Sequence, residues 1–192
     1  MPTTDTPTDT VPTAAAAIAV SPCQAADLPG ITAIYRHAVL HGSGSFEIAP
    51  PDESEMTRRW QAIVGGGHPY LVARCDGMVA GYAYAAAYRP RPAYAATVED
   101  SVYVDPALHG RGIGGALLRR LIAETEARDF RQMVAVIGDS ANRASVALHE
   151  AQGFRPAGTL QSVGWKHGRW LDVVLMQLAL GQGDRSAGPP HR

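Results

Sequence analysis

The segment Thr97-Val98-Glu99-Asp100-Ser101-Val102-Tyr103-Val104-Asp105-Pro106, continued by His109-Gly110-Arg111-Gly112-Ile113-Gly114-Gly115, decides how this chain folds. Thr97 to Val104 alternates in the two-residue period of a strand, and Asp105-Pro106 ends the pairing because proline has no N–H to donate. From Gly112 to Arg128, Ile113, Leu117 and Leu121 recur at four-residue steps, the spacing of one helix face. Between strand and helix lies the glycine-rich turn. Its glycines permit positive φ and put no Cβ in the path of a ligand, while the N–H groups that open the helix lack intrahelical partners. The helix dipole adds roughly half a positive charge there, and Arg111 adds a formal one, so the turn suits an anion. A tight strand-to-helix connection without a ligand is the plain alternative. No Gly-Lys-Ser/Thr follows, which argues against a nucleoside triphosphate.

Working outward, Asp76-Gly77 between Tyr70 to Arg74 and Met78 to Tyr88 predicts an antiparallel hairpin before this unit. Further upstream, Ala17 to Val20 reads as a short strand, Asp27 as the cap of a helix running to about His41, and Asp52 to Val64 as a second helix. Downstream, Met133 to Ile137 reads as a buried strand and Ser140 to Gln152 as a helix closed by Gly153. Thr159 to Gly164 and Trp170 to Leu178 read as the last strands. The sum is an α/β domain over residues 16–180, a mixed and mostly antiparallel sheet with helices on both faces. It is flanked by disordered segments at 1–15 and 181–192, whose apolar content is too low to offset chain entropy.

The 192 residues, 46% hydrophobic with a formal charge of -1, are enough for one core and carry no basic stripe for a phosphate backbone. Nucleic acid and membrane are not expected partners. Cys23 and Cys75 have neither disulfide-framework nor zinc-site spacing, so no metal is expected and a reducing cytoplasm fits. Asn142, Ser145 and His149 fall at i, i+3 and i+7 and share one helix face, either solvated or turned toward a ligand.

These stretches resemble the GNAT superfamily of N-acetyltransferases. The turn is similar to its acyl-CoA pyrophosphate loop, Gln/Arg-x-x-Gly-x-Gly/Ala, with His109 at the first position. Asn142-Arg143-Ala144-Ser145 leading to His149-Glu150-Ala151-Gln152-Gly153-Phe154 resembles its Asn-x-x-Ser/Ala helix. Thr97 to Val104, Val134-Ala135-Val136-Ile137-Gly138 and Trp165-Lys166-His167-Gly168-Arg169-Trp170-Leu171-Asp172-Val173 resemble the phosphinothricin acetyltransferase group, known for herbicide resistance. The resemblance implies a GNAT fold, acetyl-CoA as cosubstrate and a homodimer. It implies that Glu99 takes a proton from the substrate ammonium, and that Val102, Tyr103 and Val104 offer backbone groups to the thioester and pantetheine. His109, Gly110, Arg111, Gly112, Ile113, Gly114 and Gly115 would hold the pyrophosphate, and Asn142 and Ser145 the pantetheine arm. His149 stands where a tyrosine commonly protonates the departing thiolate, and imidazole can give or accept a proton at neutral pH. Arg89, Arg91, Tyr94, Tyr103 and Phe46 would surround the acceptor, expected to be the α-amine of phosphinothricin or methionine sulfoximine. Other amines (a polyamine, an antibiotic, a protein N-terminus) and a non-catalytic acyl-CoA sensor are the alternatives.

Overall fold

The computed structural model describes residues 18–185. The expected extension at 1–15 and the last residues of the expected tail lie outside that range. Within it, residues 181–185 form hydrogen-bonded turns, Gly183 N–H to Leu180 O and Arg185 N–H to Gln182 O.

In chain order the elements are β1 (Ala19–Pro22), α1 (Leu28–His41), α2 (Glu53–Gly65), β2 (Tyr70–Cys75), β3 (Met78–Ala87), β4 (Thr97–Val104), α3 (Ile113–Glu126), β5 (Gln132–Gly138), α4 (Arg143–Ala151), β6 (Arg155–Lys166) and β7 (Arg169–Ala179). They build a seven-stranded sheet in the order β1-β2-β3-β4-β5-β7-β6. Every pairing is antiparallel except β4 with β5, which α3 joins as a crossover. The expected mixed sheet with helices on both faces is the observed one.

The two faces divide by side-chain size. On one, Gly81, Ala83 and Ala85 of β3 keep the sheet low, so that Ile113, Leu117 and Leu121 of α3 pack directly onto it. On the other, Tyr70, Tyr82 and Tyr84 form a stacked layer, with centroid spacings of 5.0 Å for Tyr70–Tyr84 and 5.8 Å for Tyr70–Tyr82. Tyr70 and Tyr82 pack against Ile31, Ile34 and Val39 of α1 and Met56 of α2. The alternation of tyrosine with glycine and alanine along β3 is thus the period-two pattern serving two unlike partners.

Three local expectations change. The Asp27 side chain does not cap α1: a short 3₁₀ turn, Ala25–Asp27, precedes the helix, and the buried carboxylate instead accepts the Gln24 N–H at 2.8 Å and Arg74 at 2.5 Å. An ion pair to β2 is the stronger use of a buried carboxylate than a helix cap. The helix expected from Ser140 starts at Arg143, because Asp139 adopts φ 71° and accepts the Ala141 N–H, turning the chain before Asn142 caps α4. β6 begins at Arg155 rather than Thr159, directly after Gly153 at φ 92° ends the preceding helix.

A Cβ at Gly81 would lie 2.8 Å from the Tyr103 carbonyl oxygen and 3.2 Å from Leu117. Gly81→Ala is expected to lower stability by about 1–3 kcal/mol, the usual cost of overpacking, read from the midpoint of urea unfolding.

Candidate active site

β4 and β5 hydrogen-bond only where Thr97–Asp100 faces Gln132–Ala135. Beyond that point β5 stays paired with β7 through Gly138, whereas β4 runs on to Val104 beside β3. The fork opens a cleft of about 620 Å³ lined by residues 101–104, residues 135–138, the glycine turn and α4. Strand backbone exposed along the inner edges of such a fork retains unpaired polar groups, which an extended ligand bearing amides can satisfy.

The turn at one end of the cleft has the geometry of an anion cradle. Gly110 and Gly112 adopt φ 78° and 81°, and the first helical bond of α3 runs from Ala116 N–H to Gly112 O at 3.0 Å. The N–H groups of Ile113, Gly114 and Gly115 therefore precede the first intrahelical donor. A Cβ built at Gly110, Gly112 or Gly115 meets nothing within 4 Å, while Gly114 lies against Leu148 of α4. His109, Gly110, Gly112, Ile113, Gly114 and Gly115 line the cleft, and Arg111 is exposed outside it. The His109 Nε2 stands 3.2 Å from the Val104 carbonyl oxygen and ties the turn to the end of β4. These residues fit a pyrophosphate.

Glu99 and Asp100, adjacent in sequence, point to opposite faces of the sheet and into different surroundings. Asp100 is buried, and its Oδ2 lies 3.0 Å from His149 Nε2; His149 Nδ1 lies 2.7 Å from the Ser145 carbonyl oxygen. Two acceptors facing two ring nitrogens suit the imidazolium, which donates from both. Burial pulls the His149 pKa down, but the hydrogen bond and charge of Asp100 and the Ser145 carbonyl more than offset it, and the net shift is upward. Sequence reasoning missed this partner. The signal was present in the alternation itself, since residue 100 shares its face with Val98 and Val102, which pack toward α3. Glu99, half-buried on the face of α1 and α2, has its pKa raised by burial first and by Asp100 second, with Arg89 opposing.

Asn142, Ser145 and His149 all line the cleft, but Asn142 is the N-cap of α4, its Oδ1 accepting the Ser145 N–H at 3.2 Å. Val102, Tyr103 and Val104 line it from β4. Arg89, Arg91 and Tyr94 gather elsewhere, around a separate depression with Tyr88, whose ring centroid is 5.1 Å from the Arg89 guanidinium carbon. The Phe46 ring lies over Gly138 and Gly164, where an added Cβ would come within 3.0 Å and 2.2 Å of it. Its loop is fastened by Lys166, whose Nζ donates to the carbonyls of Gly42 at 2.9 Å and Ser45 at 2.6 Å. Burial lowers the Lys166 pKa, with Glu47 opposing.

A fork between parallel strands, an anion cradle at the helix that follows, and amide-lined edges between them define a site for an acyl-CoA. The sequence profile of the Acetyltransferase (GNAT) family matches residues 32–154, and the chain belongs to that family as an acetyl-CoA-dependent N-acetyltransferase. Over 158 residues it is 55% identical to a phosphinothricin N-acetyltransferase of Alcaligenes faecalis, covering 82% of this chain and 80% of that protein. It is 42% identical to an L-methionine sulfoximine/L-methionine sulfone acetyltransferase of Salmonella typhimurium, covering 85% and 94%. The crystal structure of a phosphinothricin acetyltransferase from Sinorhizobium meliloti, in complex with acetyl-CoA, superposes with a TM-score of 0.87 at 48% identity, covering 90% of this chain and 93% of that one. No helix among the described residues is long and apolar enough to cross a membrane.

Because the folded His149 pKa is raised, its bond to Asp100 contributes stability fully below the unfolded value of about 6.5 and loses it as pH rises through the folded value. Asp100→Asn is expected to cost up to about 3 kcal/mol below pH 6.5, with a narrowing gap to the unaltered protein at higher pH, followed by melting temperature across pH.

Proposed function

We propose that this chain transfers the acetyl group of acetyl-CoA to the α-amine of a small amino-acid analogue such as phosphinothricin or methionine sulfoximine. The observation that carries the reading is Glu99, a half-buried carboxylate with a raised pKa, on the last residue pair but one before the strands part. The activities of the relatives supply the acceptor class.

Acetyl-CoA brings the activated thioester, and the chain's own residues do the rest. Ile113, Gly114 and Gly115 N–H groups hold the pyrophosphate, and Asn142, Ser145 and the inner edge of Val102 to Val104 hold the pantetheine. An ammonium is no nucleophile until it loses a proton, and Glu99 takes that proton directly or through water. The amine attacks the thioester carbonyl, whose oxygen gains negative charge that a backbone N–H near Val104 stabilises. The nitrogen gives its second proton to water, the C–S bond breaks as the carbonyl re-forms, and the thiolate takes its proton from water, since both ring nitrogens of His149 are engaged by Asp100 and the Ser145 carbonyl. Arg89, whose charge acts on Glu99, pairs with the acceptor carboxylate, and Phe46 and Tyr103 wall the pocket. The protein acts in the cytoplasm, with Cys23 and Cys75 as free thiols.

Dimerisation belongs to the same reading. Leu160, Val163, Trp165 and Trp170 of β6 and β7 are exposed, the two tryptophans by 57% and 61%, with ring centroids 5.3 Å apart. An apolar patch on an edge hairpin is an interaction surface by default. Trp170→Glu is expected to shift the protein from dimer to monomer in sedimentation velocity.

Release of free CoA thiol, with phosphinothricin, methionine sulfoximine, spermidine and an N-terminal peptide offered separately, tests the function. Selective turnover of the first two is expected; turnover of only the polyamine or the peptide moves the acceptor to another amine. Glu99→Gln is expected to lower kcat by about 10²-fold or more while CoA still binds. In the unaltered enzyme kcat/KM should fall as pH drops through the raised Glu99 pKa, since the base is lost on protonation.

A further inference from the structure

α1 carries two histidines four residues apart, His37 and His41, and both line the acyl-CoA cleft from the side opposite the glycine turn's helix. Residues at i and i+4 are neighbours on a helix surface, and the two imidazole centroids lie 4.7 Å apart with their planes inclined by 47°. Both side chains are exposed, and neither ring has a hydrogen-bond or ion-pair partner among the described residues. The other described histidines are engaged. His109 meets the Val104 carbonyl, His149 meets Asp100 and the Ser145 carbonyl, His167 meets the Gly42 carbonyl, and His68 stacks on Phe130.

Two imidazoles at i and i+4 are the spacing with which a helix holds a transition-metal ion, because one nitrogen of each ring can turn to a single point above the intervening turn. No group of three His, Cys, Asp or Glu able to hold a metal forms among the described residues, so water completes the shell and the ion exchanges freely. Imidazole suits Zn²⁺ and its transition-metal neighbours, whereas Mg²⁺ and Ca²⁺ prefer oxygen ligands. The surroundings sharpen that preference. Lys166 Nζ lies 2.9 Å from the carbonyl oxygen of Gly42, the residue after His41, and its charge opposes a cation that is held by electrostatics alone.

We propose that His37 and His41 form a two-histidine site for a divalent transition ion such as Zn²⁺, and that an ion held there competes with acetyl-CoA for the cleft. The pair stands on the wall contributed by α1, with Ala38 between the two histidines and Gly42 and Gly44 following, and β4 and β5 bound the same space. A bound ion with its water ligands projects into that space and takes up room that the coenzyme needs. The effect is reversible inhibition by the metal, and it is independent of which amine accepts the acetyl group.

Isothermal titration calorimetry on tag-free protein, with Zn²⁺ and Mg²⁺ as probes, tests the site. Zn²⁺ is expected to bind and Mg²⁺ not. His37→Gln and His41→Gln, both at exposed positions, are each expected to weaken Zn²⁺ binding by at least about tenfold, since removing even a group behind a ligand costs that much. Acetyl-CoA titrated into protein saturated with Zn²⁺ is expected to bind more weakly than without the ion. That loss should disappear in both variants, which separates the site from chelation of Zn²⁺ by the coenzyme. Zn²⁺ affinity unchanged in both variants, or Mg²⁺ binding as tightly as Zn²⁺, overturns the site. Zn²⁺ binding that the variants abolish but that leaves acetyl-CoA affinity unaltered overturns the competition. No acceptor is present in these titrations, so their outcome is separate from that of the amino-acid reading above.

Discussion

β4 and β5 share four residue pairs and then separate, and the rest of the site is arranged around that fork. β5 cannot follow β4 because β7 holds its other edge along the whole of Gln132 to Gly138, and β4 cannot follow β5 because β3 holds it to Val104. Two strands secured on their outer edges and separated on their inner ones leave an opening between them. At the root of the fork Asp100 joins β4 to α4 through His149, so the helix carrying Asn142 and Ser145 is fixed to the strand across the gap. A buried carboxylate paired with an imidazolium is tolerated there because both ring N–H donors meet an acceptor, which offsets part of the desolvation cost.

The size division of the sheet faces gives the two sides of β3 unlike neighbours. Glycine and alanine on β3 bring α3 close, and its N-terminus with it, so the glycine turn sits beside the end of β4. Tyrosines on the alternate positions hold α1 and α2 away and leave space between them. The loop from Gly42 to Phe46 then closes over Gly138 and Gly164, which must lack side chains for the ring to fit.

Most of the architecture was legible in the sequence because its signals were local: the Asp76-Gly77 turn, the Pro106 stop and the four-residue steps of α3 each specify an element without reference to the rest. The bounds of β4 were readable to the residue for that reason. The errors at Asp27 and Ser140 share a cause, since both concern carboxylates that serve distant or tight-turn partners, Arg74 in one case and the Ala141 N–H in the other. Sequence spacing put Asn142, Ser145 and His149 on one face, yet it could not reveal that Asn142 caps the helix or that Asp100 meets His149 across 49 positions. Lys166 was legible as part of a motif and opaque in purpose, because what it holds are backbone carbonyls, which carry no sequence signature.

The bond from Lys166 to Gly42 spans 124 positions, and β7, which follows it, inserts between β5 and β6 rather than adding to an edge. A chain made from its N-terminus must therefore hold a large part of its sheet unfinished, with one side of β5 bare, until the last hairpin has emerged from the ribosome. Contacts of such long range form late and slowly. The setting of the Phe46 loop is in this sense a product of the end of synthesis: nascent chains stopped before residue 166 carry the glycine turn and Glu99 but not the lysine that fastens that loop.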